Sequence, residues 1–249
     1  LELFREVYEE TGIDDYWFRL SLPDFEKDKF ATDSTKWNFA ADVIREVLNE
    51  SGLPYVEGVG EAAFYGPKLD VQTKNVVGKE DTIATVQIDI LVPERMNLVY
   101  IDANGEKQHP YVIHKSIMGA FERFMAYLIE KTAGRLPVWL APEQIRFITV
   151  NQTNPLVTYA NELEIRAKEL GLRVTVDNSN ESVGKKIRSS EKMKIPYTIV
   201  IGEQELETNR TTPRVRSDML VQPEAPVAIS HFLQTVANEA KSRTTKTTM

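Results

Sequence analysis

Tyr111–Glu130, with the sequence YVIHKSIMGAFERFMAYLIE, is the stretch that best indicates the fold. Tyr111 to Ile113 are β-prone and follow a proline, which predicts the end of a strand. From Lys115 onward, apolar residues recur at spacings of four, three and four, which is typical of one face of an amphipathic helix. The stretch therefore predicts a strand that leads directly into a helix. The apolar positions of this helix are Ile117, Phe121, Phe124 and Leu128.

A second face of the predicted helix combines three small side chains with one arginine. The small residues leave room for a ligand, and a planar, always charged guanidinium can bind two phosphate oxygens at once. The alternative is an arginine paired with Glu122 or Glu130 on a solvated surface, and spacing alone favours that alternative. The residues of this face are Ser116, Gly119, Ala120 and Arg123.

The same stretch resembles the third signature motif of class II aminoacyl-tRNA synthetases. The closest form is IHxxxxGxxERF, which is typical of threonyl-tRNA synthetases. The resemblance implies that Arg123 is catalytic and contacts the triphosphate tail of ATP. The residues that carry the match are Ile113, His114, Gly119, Glu122, Arg123 and Phe124.

Length and composition predict a soluble protein with room for one large or two ordinary domains, since 249 residues at 42% hydrophobic content can bury a sizeable core. No apolar run approaches the roughly 20 residues that cross a bilayer, and the acidic N-terminus does not resemble a secretory signal. The absence of cysteine excludes disulfides and thiolate metal sites. We expect a cytoplasmic protein, and the net charge of −7 argues against a nonspecific nucleic-acid binder.

The order of predicted elements indicates an α/β protein with two domains, residues 1–137 and 138–249. The boundary falls at LPVWLAP, residues 136–142, where a helical pattern ends between two prolines. Regular alternation in the second domain predicts a mixed, largely parallel sheet covered by helices. Its predicted elements are strand 145–150, helix 155–170, strand 173–176, helix 183–193, strand 197–201, a strand pair in 205–217 and helix 227–241.

The segment 60–70, GEAAFYGPKLD, contains a turn at Gly66 and Pro67 that lets Tyr65 and Lys68 face one bound solute. In isolation these are more often a surface hydroxyl and a solvated ammonium. The segment resembles the motif G-E-x-A-F-Y-G-P-K of threonyl-tRNA synthetases. That resemblance implies an α+β catalytic portion with an antiparallel sheet, in which Tyr65 lines the amino-acid pocket and Lys68 is a catalytic residue near the nucleotide.

The segment 82–92, TIATVQIDILV, alternates polar and apolar residues, which predicts a strand with one polar face. Most such faces simply contact water. The segment is similar to the GT[VI]QLDF strand of the synthetases, which implies that Thr85 and Gln87 bind the amino acid through uncharged donors and acceptors. Thr82 stands where the family often has a glutamine that contacts ATP, and Ala84 replaces the usual glycine.

His114 alone is more often a satisfied polar residue than a ligand. The resemblance implies that it is one of three zinc ligands, whose partners in the family, a cysteine and a histidine, fall before Leu1. His109 and His231 do not match those positions. Because zinc normally takes about three or four protein ligands, we expect an empty or weakly occupied zinc site.

The match also implies use of ATP with magnesium, since amino-acid activation develops negative charge at the α-phosphate. The arginine of the second signature motif should lie before Leu1, so we expect this chain alone to have reduced activity or none. The family is homodimeric through its first motif, which we do not find here. Dimerisation of this chain is therefore not expected.

Residues 185–216 are rich in lysine and arginine, and the bland interpretation is solvated surface charge. WLAP and the following elements resemble the anticodon-binding domain of the Thr, Pro, Gly and His enzymes. The resemblance implies that Lys185 and Lys186 contact the RNA backbone. Pro213 is unusual within a strand. The implied contacts to anticodon bases are Asn180, Arg188, Glu205 and Arg214.

Together these matches imply the C-terminal part of an enzyme that joins threonine to tRNA(Thr), using ATP and passing through threonyl-adenylate. We expect threonine, ATP and tRNA(Thr) as partners and no membrane. Two alternatives stay open. One is a noncatalytic synthetase-like paralogue or fragment that binds tRNA or a protein partner. The other is an α/β protein that senses a small molecule through Tyr65, Gln87 and Arg123.

Overall fold

The computed structural model describes residues 1–30, 34–219 and 221–247. The chain divides into two compact units. The first unit consists of Leu1–Glu9 and Ile13–Lys131, and the second of Glu10–Gly12 and Thr132–Met249. The boundary that we placed after residue 137 lies slightly later in the chain and stays a prediction. Within the described ranges, no helix combines the length and apolar composition that crossing a membrane requires.

The first unit contains a five-stranded sheet with the order β2-β1-β3-β4-β7. Strands β1 and β2 are parallel, and the remaining pairs are antiparallel. Strands β5 and β6 form a separate hairpin. The strands are β1 Tyr16–Leu22, β2 Tyr55–Val59, β3 Lys68–Lys74, β4 Glu80–Asp89, β5 Tyr100–Ile101, β6 Lys107–Gln108 and β7 Val112–Ser116. The helices are α1 Glu2–Thr11, α2 Ser34–Ser51, α3 Val92–Arg95 and α4 Phe121–Thr132.

Cross-strand register gives this sheet one apolar face. Directly opposed residues point to the same side of a sheet. Phe18 of β1 opposes Val71 of β3, Leu20 opposes Leu69, and all four side chains are buried. Helix α2 packs against β1 and β3, and its buried residues are Trp37, Ala40, Ala41, Ile44 and Leu48. The intervening residues of these strands therefore form the opposite face.

Helix α4 begins at Phe121, so the prediction of a helix from Lys115 is wrong. Strand β7 continues through Ser116, which pairs with Thr85 of β4. Gly119 then has a φ of +55°, and an added Cβ would lie 2.8 Å from the carbonyl oxygen of Ile83. The strand ladder and this close backbone approach exclude helical geometry before Phe121. The predicted helix face of Ser116, Gly119, Ala120 and Arg123 is therefore wrong, because only Arg123 lies in the helix.

The second unit contains a four-stranded sheet with the order β12-β10-β8-β9. Strands β8, β9 and β10 are mutually parallel, and β12 is antiparallel at one edge. The predicted α/β class, with an antiparallel sheet in the first part and a largely parallel sheet in the second, is confirmed. The elements are β8 Ile145–Thr149, α5 Asn154–Glu169, β9 Val174–Asp177, α6 Val183–Lys192, β10 Tyr197–Ile201, α7 Glu203–Thr208, β11 Arg210–Thr211, β12 Arg214–Val215, β13 Val227–Ala228 and α8 Ile229–Ser242.

The strand pair predicted for residues 205–217 is wrong. Glu205 lies in helix α7, and its Oε2 accepts a hydrogen bond of 2.9 Å from the backbone N–H of Gly202, which caps the helix start. The two short strands that follow do not pair with each other, because β11 pairs with β13 and β12 pairs with β10.

Candidate functional site

The second face of the five-stranded sheet brings the predicted pocket residues together. Thr85 of β4 opposes Asp70 of β3, and Gln87 opposes Lys68 on one side and His114 of β7 on the other. Because opposed residues share a face, side chains that are far apart in sequence become neighbours. We call the side of the sheet that carries these side chains the polar sheet face. Its residues are Arg19, Ser21, Lys68, Asp70, Thr85, Gln87, His114 and Ser116.

Three uncharged side chains form a hydrogen-bonded series at the polar sheet face. The hydroxyl of Tyr65 donates to Oε1 of Gln87, and Nε2 of Gln87 donates to Oγ1 of Thr85 at 3.4 Å. Burial raises the pKa of Tyr65, and the negative charge of Asp89 adds to this effect. The phenol therefore stays a neutral hydrogen-bond donor.

The backbone holds Tyr65 against strand β4. The N–H of Ile90 donates to the carbonyl of Tyr65 at 2.9 Å, and the N–H of Ile88 donates to the carbonyl of Pro67 at 3.1 Å. At Gly66 a Cβ atom would lie 1.8 Å from the carbonyl oxygen of Ile88. Only glycine fits between these two backbone contacts, so the turn places Tyr65 at a fixed position beside Gln87.

Lys68 is held by Asp70, a buried carboxylate that our sequence analysis did not select. Oδ2 of Asp70 accepts from Lys68 Nζ at 2.7 Å, from Ser21 Oγ at 2.8 Å and from Arg19 Nη2 at 3.4 Å. Among the described residues, the buried Oδ1 of Asp70 has no partner. The i,i+2 spacing of Lys68 and Asp70 could have indicated this cluster, had the segment been recognised as a strand.

Arg123 lies in the first turn of α4 and is exposed. Its Nη1 donates to the backbone carbonyl of Thr82 at 3.3 Å. Within the described ranges it forms no ion pair, so the alternative of pairing with Glu122 or Glu130 is wrong. This hydrogen bond holds the guanidinium beside β4 and leaves its other N–H groups available to a ligand. The hydroxyl of Thr82 itself accepts from Gln72 Nε2 at 2.6 Å.

His114 is engaged by a buried acid. Its Nε2 lies 3.1 Å from Oδ2 of Asp89, while Oδ1 of Asp89 accepts from the backbone N–H groups of Leu91 and Val92. In the described part of the chain there is no group of three or more histidine, aspartate or glutamate residues that could hold a metal ion. These residues by themselves do not fit a zinc ion.

In the second unit, the predicted RNA-binding residues lie in three places. Asn180 follows β9 and Glu205 follows β10, so both lie beyond the carboxyl ends of parallel strands. Arg214 opposes Thr198 near the amino end of β10 instead. Arg188 lies on α6. Arg188 and Arg214 are exposed and have no hydrogen-bond or ion-pair partner among the described residues.

Lys186 has a structural role, so the prediction that it contacts RNA backbone is wrong. Its side chain is buried in α6, and its Nζ donates to the carbonyls of Thr149 at 3.0 Å and Asp177 at 3.2 Å. Lys185 stays exposed and pairs with Glu181 at 2.6 Å. The two adjacent lysines therefore differ completely in environment.

Comparison with protein families follows the same division of the chain. A family model described as the tRNA synthetase class II core domain (G, H, P, S and T) matches residues 1–132. The chain belongs to the class II aminoacyl-tRNA synthetase family. A second family model, described as an anticodon binding domain, matches residues 144–239 of this synthetase chain.

Relatives of this synthetase chain narrow the resemblance. It is 46% identical over 215 residues to the threonine-tRNA ligase of Staphylococcus carnosus, which covers 86% of the chain and 33% of that protein. It is 47% identical over 210 residues to the threonine-tRNA ligase of Staphylococcus aureus (strain JH9), which covers 84% of the chain and 32% of that protein. The predicted resemblance to threonyl-tRNA synthetases is confirmed. The chain spans about a third of the length of these curated relatives.

A solved structure gives the same result for the fold of this synthetase chain. The crystal structure of the RNA binding domain of threonyl-tRNA synthetase from Cryptosporidium parvum Iowa II superimposes with a TM-score of 0.81 at 27% identity. That superposition covers 100% of this chain and 59% of the other.

Proposed function

We propose that this chain is part of an enzyme that ligates threonine to tRNA(Thr) with ATP, through threonyl-adenylate. The observation that carries the proposal is the hydrogen-bonded series Tyr65, Gln87 and Thr85 at the polar sheet face. Lys68 opposes Gln87, and the guanidinium of Arg123 donates to the carbonyl of Thr82 on the same strand, β4. The 46% identity to a threonine-tRNA ligase supports it. Residues 1–137 carry the activation site and residues 138–249 carry the anticodon-binding site. We place the enzyme in the cytoplasm, where translation takes place.

At the amino-acid end, Tyr65, Thr85 and Gln87 bind threonine. Threonine and valine have the same shape and differ by a hydroxyl group for a methyl group. A pocket built to hydrogen-bond a hydroxyl rejects the analogue that lacks it, because the polar groups of the pocket are then left unpaired, and such sites reach about 10⁴-fold discrimination. The neutral phenol of Tyr65 and the amide of Gln87 supply such groups without adding charge.

At the nucleotide end, Arg123, Lys68 and Thr82 bind ATP. Arg123 contacts the triphosphate tail through the donors that its bond to the Thr82 carbonyl leaves unused. Lys68, whose ammonium Asp70 holds at 2.7 Å, stabilises negative charge that develops at the reacting carboxylate and α-phosphate. Magnesium arrives with ATP and is bound chiefly by its phosphates. No step of this proposal uses zinc, since the described residues do not fit it.

At the RNA end, Asn180 and Glu205 supply the amide and carboxylate that read unpaired base edges, and Arg188 and Arg214 supply guanidinium groups for bases and phosphates. Support comes from the exposed, unpartnered state of both arginines in the described chain. The carboxylate of Glu205 caps α7 through one oxygen, Oε2, which leaves Oε1 for a base donor.

The test is ATP-dependent charging of threonine-specific tRNA by the full-length gene product. Arg123→Ala should lower threonine-dependent pyrophosphate exchange about 100-fold or more, in the range found when one preorganised transition-state contact is removed. Arg214→Ala should raise the KM for tRNA and leave pyrophosphate exchange unchanged. Equal loss of both activities in both variants would contradict this division of roles. RNA binding without any pyrophosphate exchange would instead identify a noncatalytic RNA-binding protein.

A further inference from the structure

Arg19 lies between two carboxylates and is fully paired with neither. It is on strand β1, directly opposite Asp70 of β3. Its Nη2 lies 3.4 Å from Oδ2 of Asp70 and 3.8 Å from Oε2 of Glu61, whereas hydrogen bonds between two charged groups are typically about 2.7–2.9 Å long. The side chain is 19% exposed, so solvent reaches only part of it. No step of the proposed function uses this guanidinium.

Two buried atoms beside this contact have no hydrogen-bond partner among the described residues, namely Nε of Arg19 and Oδ1 of Asp70. Buried polar atoms are rarely left unpaired. A guanidinium presents Nε–H and one Nη–H as a planar fork that matches the two oxygens of a carboxylate. The contact between Nη2 and Oδ2 is one half of such a pair, and the two unpaired atoms are the other half. A small movement of the Arg19 side chain would therefore complete a pair with two hydrogen bonds.

Lys68 holds the carboxylate in the structure. Its Nζ lies 2.7 Å from Oδ2 of Asp70 and the Ser21 hydroxyl lies 2.8 Å from it, so both are closer than Arg19. Oδ2 thus has three donors, while Oδ1 has none within the described part of the chain. A fork from Arg19 on both oxygens would compete with the ammonium for Oδ2. Asp70 can therefore exchange one cation for the other.

This exchange meets an electrostatic requirement of the proposed activation step. Lys68 acts there on the reacting carboxylate and the α-phosphate, so its ammonium has to move from Asp70 towards the substrate. Asp70 is 1% exposed, and a buried carboxylate without a cation is strongly unfavourable. The Ser21 hydroxyl carries no charge and cannot replace the ammonium. A guanidinium that pairs with Asp70 as Lys68 leaves would remove this cost.

We propose that Arg19 is a positioning residue for amino-acid activation. Its guanidinium pairs with Asp70 in place of Lys68 when the ammonium moves to the anionic substrate. Arg19 itself contacts neither threonine nor ATP, and it acts on Lys68 through Asp70. Both cations stay charged, and only hydrogen bonds are exchanged. The inference rests on the proposed function, since it explains how Lys68 becomes available to the substrate.

The test is threonine-dependent pyrophosphate exchange by the full-length gene product, with kcat and KM measured separately. Arg19→Met keeps the apolar stem and removes the charge. It should lower kcat about 10- to 100-fold, as expected for a lost hydrogen bond between charged groups, and leave the KM for threonine and for ATP within about threefold of wild type. Arg19→Lys keeps the positive charge and should restore kcat to within about fivefold of wild type.

Arg45→Met is the matched control. Arg45 also lies between two carboxylates, those of Asp42 and Glu57, but it is on helix α2, away from the polar sheet face. Exposed ion pairs contribute little, so both kinetic constants should stay within about twofold of wild type.

A second background separates a positioning role from a loss of packing or folding. In Asp70→Asn the carboxylate that needs a cation is absent, so adding Arg19→Met should change kcat less than about twofold. The same fold-loss in both backgrounds would refute the inference, because Arg19 would then act without Asp70. A raised KM at unchanged kcat in Arg19→Met would also refute it, since Arg19 would then bind substrate directly.

The outcomes also distinguish this inference from the proposed function. If Lys68→Met lowers pyrophosphate exchange while Arg19→Met matches wild type, the positioning role of Arg19 is refuted and the proposed function stands. If the full-length wild-type protein shows no exchange, both are refuted.

Discussion

Two adjacent lysines of α6 provide the sharpest test of the structure. Lys186 is 2% exposed and donates to the carbonyls of Thr149 and Asp177, which are the last residues of β8 and β9. Lys185 is exposed and forms an i,i+4 ion pair with Glu181. The perturbation is the same for both positions. Each lysine is replaced by methionine, which keeps the unbranched apolar stem and removes the ammonium group.

The expected loss at Lys186 follows from its two contacts. A hydrogen bond that involves a charged group contributes about 1.5–3 kcal/mol, so two such bonds contribute about 3–6 kcal/mol. Part of this is recovered because methionine does not bury a charge, and because Asp177 is half-buried and water can reach it. We expect a net destabilisation of about 2–4 kcal/mol, within the range seen when a buried polar network loses one member. For Lys185→Met, an exposed ion pair predicts a loss of about 0.2–1 kcal/mol.

Hydrogen exchange measured by mass spectrometry suits this chain, because two compact units need not unfold in one step. Peptides that cover β8 and β9 report on local opening of the second unit. A loss of about 2–4 kcal/mol in Lys186→Met corresponds to roughly 30- to 700-fold faster exchange, since each 1.4 kcal/mol is tenfold. Peptides from the first unit serve as the internal reference and should not change.

Equal protection in the two variants would refute the burial of Lys186 and restore its assignment to the RNA backbone. Salt titration of RNA binding gives an independent answer. A lysine that contacts phosphate contributes about 0.7 to the slope against log salt for a single strand, whereas a buried lysine contributes nothing. The folded fraction of Lys186→Met should therefore bind RNA with the wild-type slope.

Two further predictions concern backbone fit and pH. Gly66→Ala places a Cβ atom 1.8 Å from the Ile88 carbonyl oxygen. It should therefore lower the free energy of unfolding by about 3 kcal/mol or more and accelerate amide hydrogen exchange in β3 and β4. The control is Gly184→Ala, which meets no atom within 4 Å and should leave stability unchanged or slightly increased. Burial alone would raise the pKa of Asp177, but hydrogen bonds from Ser179 together with the positive charges of Lys186 and Arg146 lower it below its usual value. The stability that this carboxylate contributes is present above its unfolded pKa of about 4 and is lost as pH falls through the lowered native pKa. In Asp177→Asn, the free energy of unfolding measured with urea should therefore decrease less steeply as pH falls through this range.

Periodicity located most elements but missed strand β3 and misplaced the start of α4. In KLDVQTK the polar residues Asp70, Gln72 and Thr73 are buried along with Leu69 and Val71. A strand whose two faces are both buried does not show the clean alternation that identifies a half-exposed strand. Helical spacing after Lys115 was equally misleading. The residues that exclude a helix there are Thr85, which pairs with Ser116, and Ile83, whose carbonyl oxygen lies against Gly119, and both are distant in the sequence.

The polar series of the first unit was more predictable than its charged cluster. Tyr65, Thr85 and Gln87 were selected from motifs, and the structure places them in hydrogen-bonding contact. Asp70 was not selected, because its i,i+2 spacing from Lys68 indicates a shared face only when the segment is recognised as a strand. Its importance comes from Arg19, Ser21 and Lys68, and only the register of β1 and β3 shows that these three residues from two distant segments converge on one oxygen.

Charge composition alone cannot assign an RNA-binding role to the lysine- and arginine-rich segment, because some of its cations bond within the fold and others are exposed without a partner among the described residues. Lys186 donates to backbone carbonyls within the fold, and Arg216 donates to a backbone carbonyl and to the carboxylate of Asp218. Arg188 and Arg214 keep their N–H groups available, and they differ from the first two only in what surrounds them in three dimensions. Removing a committed cation should therefore lower stability and leave the salt slope of RNA binding intact, whereas removing an available one should do the reverse. A variant such as Arg216→Ala that weakened RNA binding without loss of stability would break this separation.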